Sequence, residues 1–155
     1  MKDETVTGRA PAALAYIGLI LVSLSLFLPA VNVPSDGSWG SHGIQTGWKC
    51  AIGASIGALA LVYSVVEPHP LHPLRDQVAM LLLTVAGLAN PLMVVCLLSN
   101  RFRNNKIAML MIACVVCAWL TMSLLSYQPL VGQFTWTAGA LLIAGGELFR
   151  IVPRS

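Results

Sequence analysis

The chain has 155 residues, 57% of them hydrophobic and only 10% charged, with a mean hydropathy of +0.79. Soluble domains carry about 25% charged residues; a fold hiding this much apolar surface from water is excluded, and a lipid bilayer is the expected solvent. The formal charge of +3 is spread over loops and ends, with no basic stripe interleaved with aromatics, which excludes nucleic acid as a partner.

Residues 1–9 form a polar tail. Pro11 suits the first turn of a helix, where its missing N–H costs nothing, and an apolar segment, residues 12–28, runs from there to Pro29. This run exceeds a signal-peptide core, and Asp3 and Glu4 spoil a basic leader, so a membrane helix is expected rather than a cleaved signal. Ala30–Thr46 reads as loop, with Pro34, Asp36, Gly37, Gly40 and Gly43. Trp39 and Trp48 suit a membrane interface.

The second segment, residues 47–66, holds Gly53 and Gly57 at GxxxG spacing beside Ala54, Ser55 and Ala58. Such a face lets helix backbones approach closely. It predicts packing inside the monomer, with a homodimer seam as the alternative. The following Glu67–Leu74 stretch alternates prolines, which favours polyproline II. His69 and His72 would lie about 9 Å apart along it. That is too far to grip one ion easily, and His42 could join them only if the two loops shared a side, which five spans do not allow, so a stiff surface turn is expected and no metal.

The third segment, residues 78–98, has about the 20 apolar residues needed to cross a core roughly 30 Å thick. Pro91 removes a backbone donor and clashes with the Gly87 carbonyl, so a kink is expected. Asn90 then sets an amide near the bilayer midplane, where it needs a partner. It is either a structural residue bonded to a neighbouring helix or part of a solute site at a broken helix. The turn Ser99–Lys106 carries Arg101, Arg103 and Lys106.

The fourth segment, residues 107–126, contains Cys114 and Cys117 in a CxxC spacing. Its position about nine residues into an apolar stretch leaves these thiols inert. Together with Cys50 and Cys96 they read as small apolar fillers, and a membrane thiol oxidoreductase is an alternative function. The fifth segment, residues 134–152, carries Glu147. An intramembrane carboxylate is a functional suspect, but Arg150 one turn on predicts an ion pair.

Lysine and arginine counts orient the chain. Five spans with the N-terminus outside place Lys49, Arg101, Arg103, Lys106, Arg150 and Arg154 in the cytoplasm and Lys2, Arg9 and Arg75 outside, a ratio of 6:3. Four spans, with the second segment re-entrant and the N-terminus inside, give 7:2. Five spans are favoured by the length and the lack of internal charge in the second segment. Both arrangements put the Arg101–Lys106 turn in the cytoplasm.

Leu28-Pro29, Gly47-Trp48 and Leu88-Ala-Asn-Pro-Leu92 resemble patches of small uncharacterised bacterial multi-pass inner-membrane proteins. The resemblance implies a bacterial plasma membrane and no particular activity. The expected fold is therefore an all-α polytopic helical bundle, one domain over residues 1–155, with five transmembrane helices. No catalytic triad, paired carboxylates, phosphate loop or dinucleotide glycine pattern occurs. The expected function is a non-enzymatic accessory, assembly or immunity-like subunit acting through helix–helix contacts, without cofactor or metal. Its partners would be the lipid bilayer, a second copy or another membrane protein. An oligomeric small-solute carrier or channel subunit with a site near Asn90 and Pro91 is the alternative from a different class.

Overall fold

A computed structural model describes residues 9–34, 43–66, 74–98 and 105–151. Each apolar segment is helical: α1 (Arg9–Ser25), α2 (Gly47–Val66), the interrupted pair α3 (Leu74–Gly87) and α4 (Ala89–Leu98), α5 (Asn105–Leu125) and α6 (Val131–Ile151). The chain is thus mostly helical, as its composition requires.

The Ala30–Thr46 stretch departs from the expected loop. It supplies β1 (Pro29–Val33) and β2 (Gly43–Thr46), and β3 (Gln128–Pro129) completes a three-stranded antiparallel sheet in the order β2-β1-β3. Asn32 stands opposite Ile44 on one side and Gln128 on the other. The reason is burial: Ala30, Val31 and Val33 are covered by their neighbours, and β-branched residues suit a pleated, covered surface. The glycines, serines and Asp36 that suggested loop lie mostly at 35–42, outside the described residues.

The sheet gathers helix ends. The Gly47 and Trp48 amides donate to the Leu28 and Leu26 carbonyls at 3.0 and 2.9 Å, tying the start of α2 to the end of α1. The Leu130 amide donates to the Ala30 carbonyl at 2.7 Å, tying the start of α6 there too. α5 ends in a Schellman motif: Ser126 takes a positive φ of 57°, and the Tyr127 amide donates back to the Met122 carbonyl at 2.9 Å. Arg75, in the first turn of α3, donates from Nε to the Leu124 carbonyl at 2.6 Å. The start of α3 therefore lies at the sheet end as well.

These ties give α1, α3–α4, α5 and α6 alternating directions. α2 departs from the sheet end, and by Leu74 the chain has returned to it. The alternation of five helices expected from the sequence needs α2 and α3 to begin at opposite ends, and this is not met. The cause is tertiary: Arg75 satisfies a terminal carbonyl of α5, and helix ends leave such carbonyls open.

Alanines dominate the interior, beside a few larger residues such as Met111 and Ile143, and many large side chains face outward. Ala79, Ala86, Ala89, Ala108, Ala118, Ala140 and Ala144 are buried, whereas Ile17, Ile20, Ile56, Leu81, Val116, Leu120 and Leu141 are exposed. At the α1–α6 crossing Gly18 meets Gly139 so closely that a Cβ on either would fall 2.6 Å from the other's carbonyl oxygen. Among the described residues two helices are long and apolar enough to cross a membrane, Leu74–Val95 and Lys106–Leu125, and α1 adds the shorter apolar run Ala13–Ser25. Only 22% and 28% of the two long apolar stretches is buried. The core helix of a soluble domain would be mostly covered.

Candidate functional site: a cavity beneath the sheet

α2 packs mainly against α3 and leaves space toward α5 and α6. A cavity of about 390 Å³ lies beneath the sheet, lined from α2, α3, α5 and α6. Its floor and walls are Ile56, Leu83, Ala86, Ala118, Met122 and Leu125. Gln45, Lys49, Tyr127 and Gln133 supply polarity from β2 and from residues at or near helix ends. Such a volume and such a mixture are typical of small-molecule sites.

Two contacts flank the space at the break between α3 and α4. Ala54 of α2 approaches Gly87, where an added Cβ would stand 3.3 Å from the Ala54 Cβ. On the other side Trp136 of α6 donates from Nε1 to Asn90 Oδ1 at 3.1 Å. The helix is broken between these points. The Leu88 amide bonds back only three residues, to Val85, and Pro91 has no N–H to offer the Gly87 carbonyl. Asn90 is thus bonded across helices and lines the cavity at once.

Gln133 sits in the first turn of α6, 7% exposed, and its Nε2 has no hydrogen-bond partner among the described residues. A buried donor in this state is costly. Two other polar groups of the lining are satisfied locally: Thr121 donates to the Cys117 carbonyl at 2.9 Å and Ser25 to the Val22 carbonyl at 2.6 Å, whereas the buried Thr46 Oγ1 beside Gly47 also has no partner among the described residues. Burial raises the Tyr127 phenol above its ordinary pKa, with further raising contributions from nearby Cys50 and Asp76. Lys49 lies beside the Trp48 ring, its Nζ 5.9 Å from the ring centroid.

The structure distributes the residues singled out by sequence unevenly. Asn90 and Gly53 line this cavity, and a Cβ added at Gly53 would meet nothing within 4 Å. Gly53 therefore faces open space instead of a packed helix. Pro91 is exposed, beside Asn90. Cys114 is completely buried in the core among Met111, Ala140 and Ile143, and Cys117 is half-buried; neither lines the cavity, and both are free thiols. Glu147 is 3% exposed on α6, away from the cavity lining. The side chains of Gly57's neighbourhood, Cys96 and Arg150 lie outside the described residues, as do His42, His69, His72, Arg101 and Arg103. Among the described residues no group of three acidic, His or Cys side chains could hold a metal ion. Gln133 had no sequence signal beyond being a lone amide at the head of an apolar segment.

The sequence matches no family model, and no curated protein or solved structure shows significant similarity to it.

Proposed function

We propose that this chain is a non-enzymatic, multi-pass protein of the bacterial inner membrane that holds a small, mainly apolar molecule in the cavity beneath its sheet. An accessory subunit of this kind presents or carries its guest and leaves it chemically unchanged. The observation that carries the reading is the cavity itself: apolar walls, polar groups near its helix-end margin, and a buried Gln133 donor with no partner. Sites that fix ligand orientation use just such a minority of polar groups.

The membrane arrangement we propose has four crossings, α1, α3–α4, α5 and α6, with α2 entering from the sheet side and the chain returning to it. The N-terminus and the Arg101–Lys106 turn are then cytoplasmic and the sheet faces outward. Two independent supports agree on this. The hydrogen bonds of Gly47 and Arg75 put both helix starts at the sheet end. The lysine and arginine count of 7:2 is also more asymmetric than the 6:3 of five crossings. A re-entrant α2 must be covered by protein, and the approach of its Ala54 to Gly87 supplies cover on one side.

Position 45 distinguishes the arrangements. With native cysteines removed, Gln45→Cys should label with a membrane-impermeant thiol reagent from outside intact cells, and Asn104→Cys should not. Labelling of Asn104→Cys from outside would reject both arrangements; failure of Gln45→Cys to label would favour five crossings. For the binding reading, protein purified into nanodiscs and extracted with solvent should release one small molecule per chain. Gly53→Leu, which fills the cavity, should release none. Equal release from both proteins would reject the cavity as the site.

A further inference from the structure

The cavity lining is chemically one-sided. Lys49 is its only charged residue among those described, and no carboxylate is part of that lining, Asp76 lying outside it near Tyr127. Lys49 and Gln133 also lie at the same end. Gly47 packs on the backbone of Ser25 and Leu26, and Gly132 packs on Leu28, Pro29 and Ala30. The first turns of α2 and α6 therefore flank one short stretch of chain, and each presents one donor-bearing residue to the cavity.

We infer that the guest is a single-chain amphiphile ended by a carboxylate, of the fatty-acid class; this rests on the binding reading above. The aliphatic walls accept a hydrocarbon chain. The Gln133 Nε2–H requires an oxygen acceptor, since a buried donor left unpaired is unfavourable. A carboxylate provides that acceptor and a formal negative charge for Lys49. Hydrogen bonds and ion pairs to a charged group are stronger than neutral ones. A neutral ester or alcohol satisfies Gln133 but leaves Lys49 without a counter-charge, and a cationic head is repelled.

The test uses quenching of Trp136, which lines the cavity. Trp39, Trp48 and Trp119 are replaced by Phe, and the full-length protein is placed in phosphatidylcholine nanodiscs. The probes are dibromostearic acid, its methyl ester and a brominated phosphatidylglycerol. The acid should quench saturably. The ester should require about tenfold more probe, as should the acid with Lys49→Gln or Gln133→Leu; each loss corresponds to one charge-assisted contact. Gly53→Leu should abolish the saturable phase, because its side chain enters space where nothing lies within 4 Å of a Cβ.

Equal quenching by acid and ester, with Gly53→Leu still blocking both, overturns the carboxylate assignment and leaves the cavity as a binding site. Quenching by phosphatidylglycerol at the acid's concentration overturns the single-chain assignment. No saturable quenching by any probe, or quenching untouched by Gly53→Leu, overturns the binding reading as well. Retention of radiolabelled stearic acid by the protein with all four tryptophans reads the same outcomes without the Phe replacements.

Discussion

The α1–α6 crossing sets a strict steric condition, because a Cβ on either of its facing glycines meets backbone oxygen. A methyl group at Gly18 would lie 2.6 Å from the Gly139 oxygen and 2.7 Å from Ile143 Cγ1. A methyl group at Gly139 would lie 2.6 Å from the Gly18 oxygen and 2.8 Å from Val22 Cγ2. Ordinary contact begins at 3.4 Å, so the helices must separate by some 0.8 Å to admit either one. The obstructing atoms include backbone oxygens, which cannot rotate aside. Overpacking costs typically about 1–3 kcal/mol. The gain in helix propensity from Gly to Ala, at most about 1 kcal/mol, offsets part of this. Gly18→Ala and Gly139→Ala should each destabilise by roughly 1–2 kcal/mol. One separation relieves both clashes, so the double variant should cost clearly less than the sum of the two; contacting residues show coupling of about 0.5–3 kcal/mol. Gly145→Ala, on the same helix with nothing within 4 Å of its Cβ, is the control and should be neutral or slightly stabilising. Thermal or SDS unfolding in a mild detergent measures all four proteins. A wild-type midpoint for Gly18→Ala, or strict additivity in the double variant, would refute the close crossing.

Ser126→Gly should stabilise by about 1 kcal/mol, since Ser126 holds a left-handed φ of 57° that costs an L-residue roughly that much; a lower melting point would contradict the Schellman geometry. Asn90→Leu and Trp136→Phe should show a coupling near 0.6 kcal/mol in a double-mutant cycle, the average for interhelical hydrogen bonds in membranes, and zero coupling would mean the bond is not formed. Cys114→Ala should lower stability more than Cys117→Ala, because Cys114 is completely buried and Cys117 only partly. If either replacement removed a biological phenotype while the melting curve stayed unchanged, thiol chemistry would have to replace the filler role.

Much of this molecule is legible in its sequence because long apolar runs obey simple rules. An unbroken apolar run has to satisfy its own backbone, so all five segments had to be helical. Pro91 had to interrupt its helix, since it lacks the N–H that Gly87 would bond. What the sequence by itself could not determine is everything that depends on which ends meet. The sheet joins residues 29–33 to 128–129, nearly a hundred positions away, and no local pattern announces a two-residue strand such as Gln128–Pro129. The direction of α2 was equally hidden. Twenty apolar residues read the same whichever end the chain goes on to, and it is the Arg75 bond to Leu124 that brings the start of α3 to the sheet end. The cavity follows from that return. Gly53, which composition marks as a packing surface, faces open space, while a close backbone crossing of two helices falls on Gly18 and Gly139, at no recognisable spacing from each other. Gln133 acquires meaning only there, because a lone amide is unremarked in sequence and becomes costly only once the fold has buried it without a partner among the described residues.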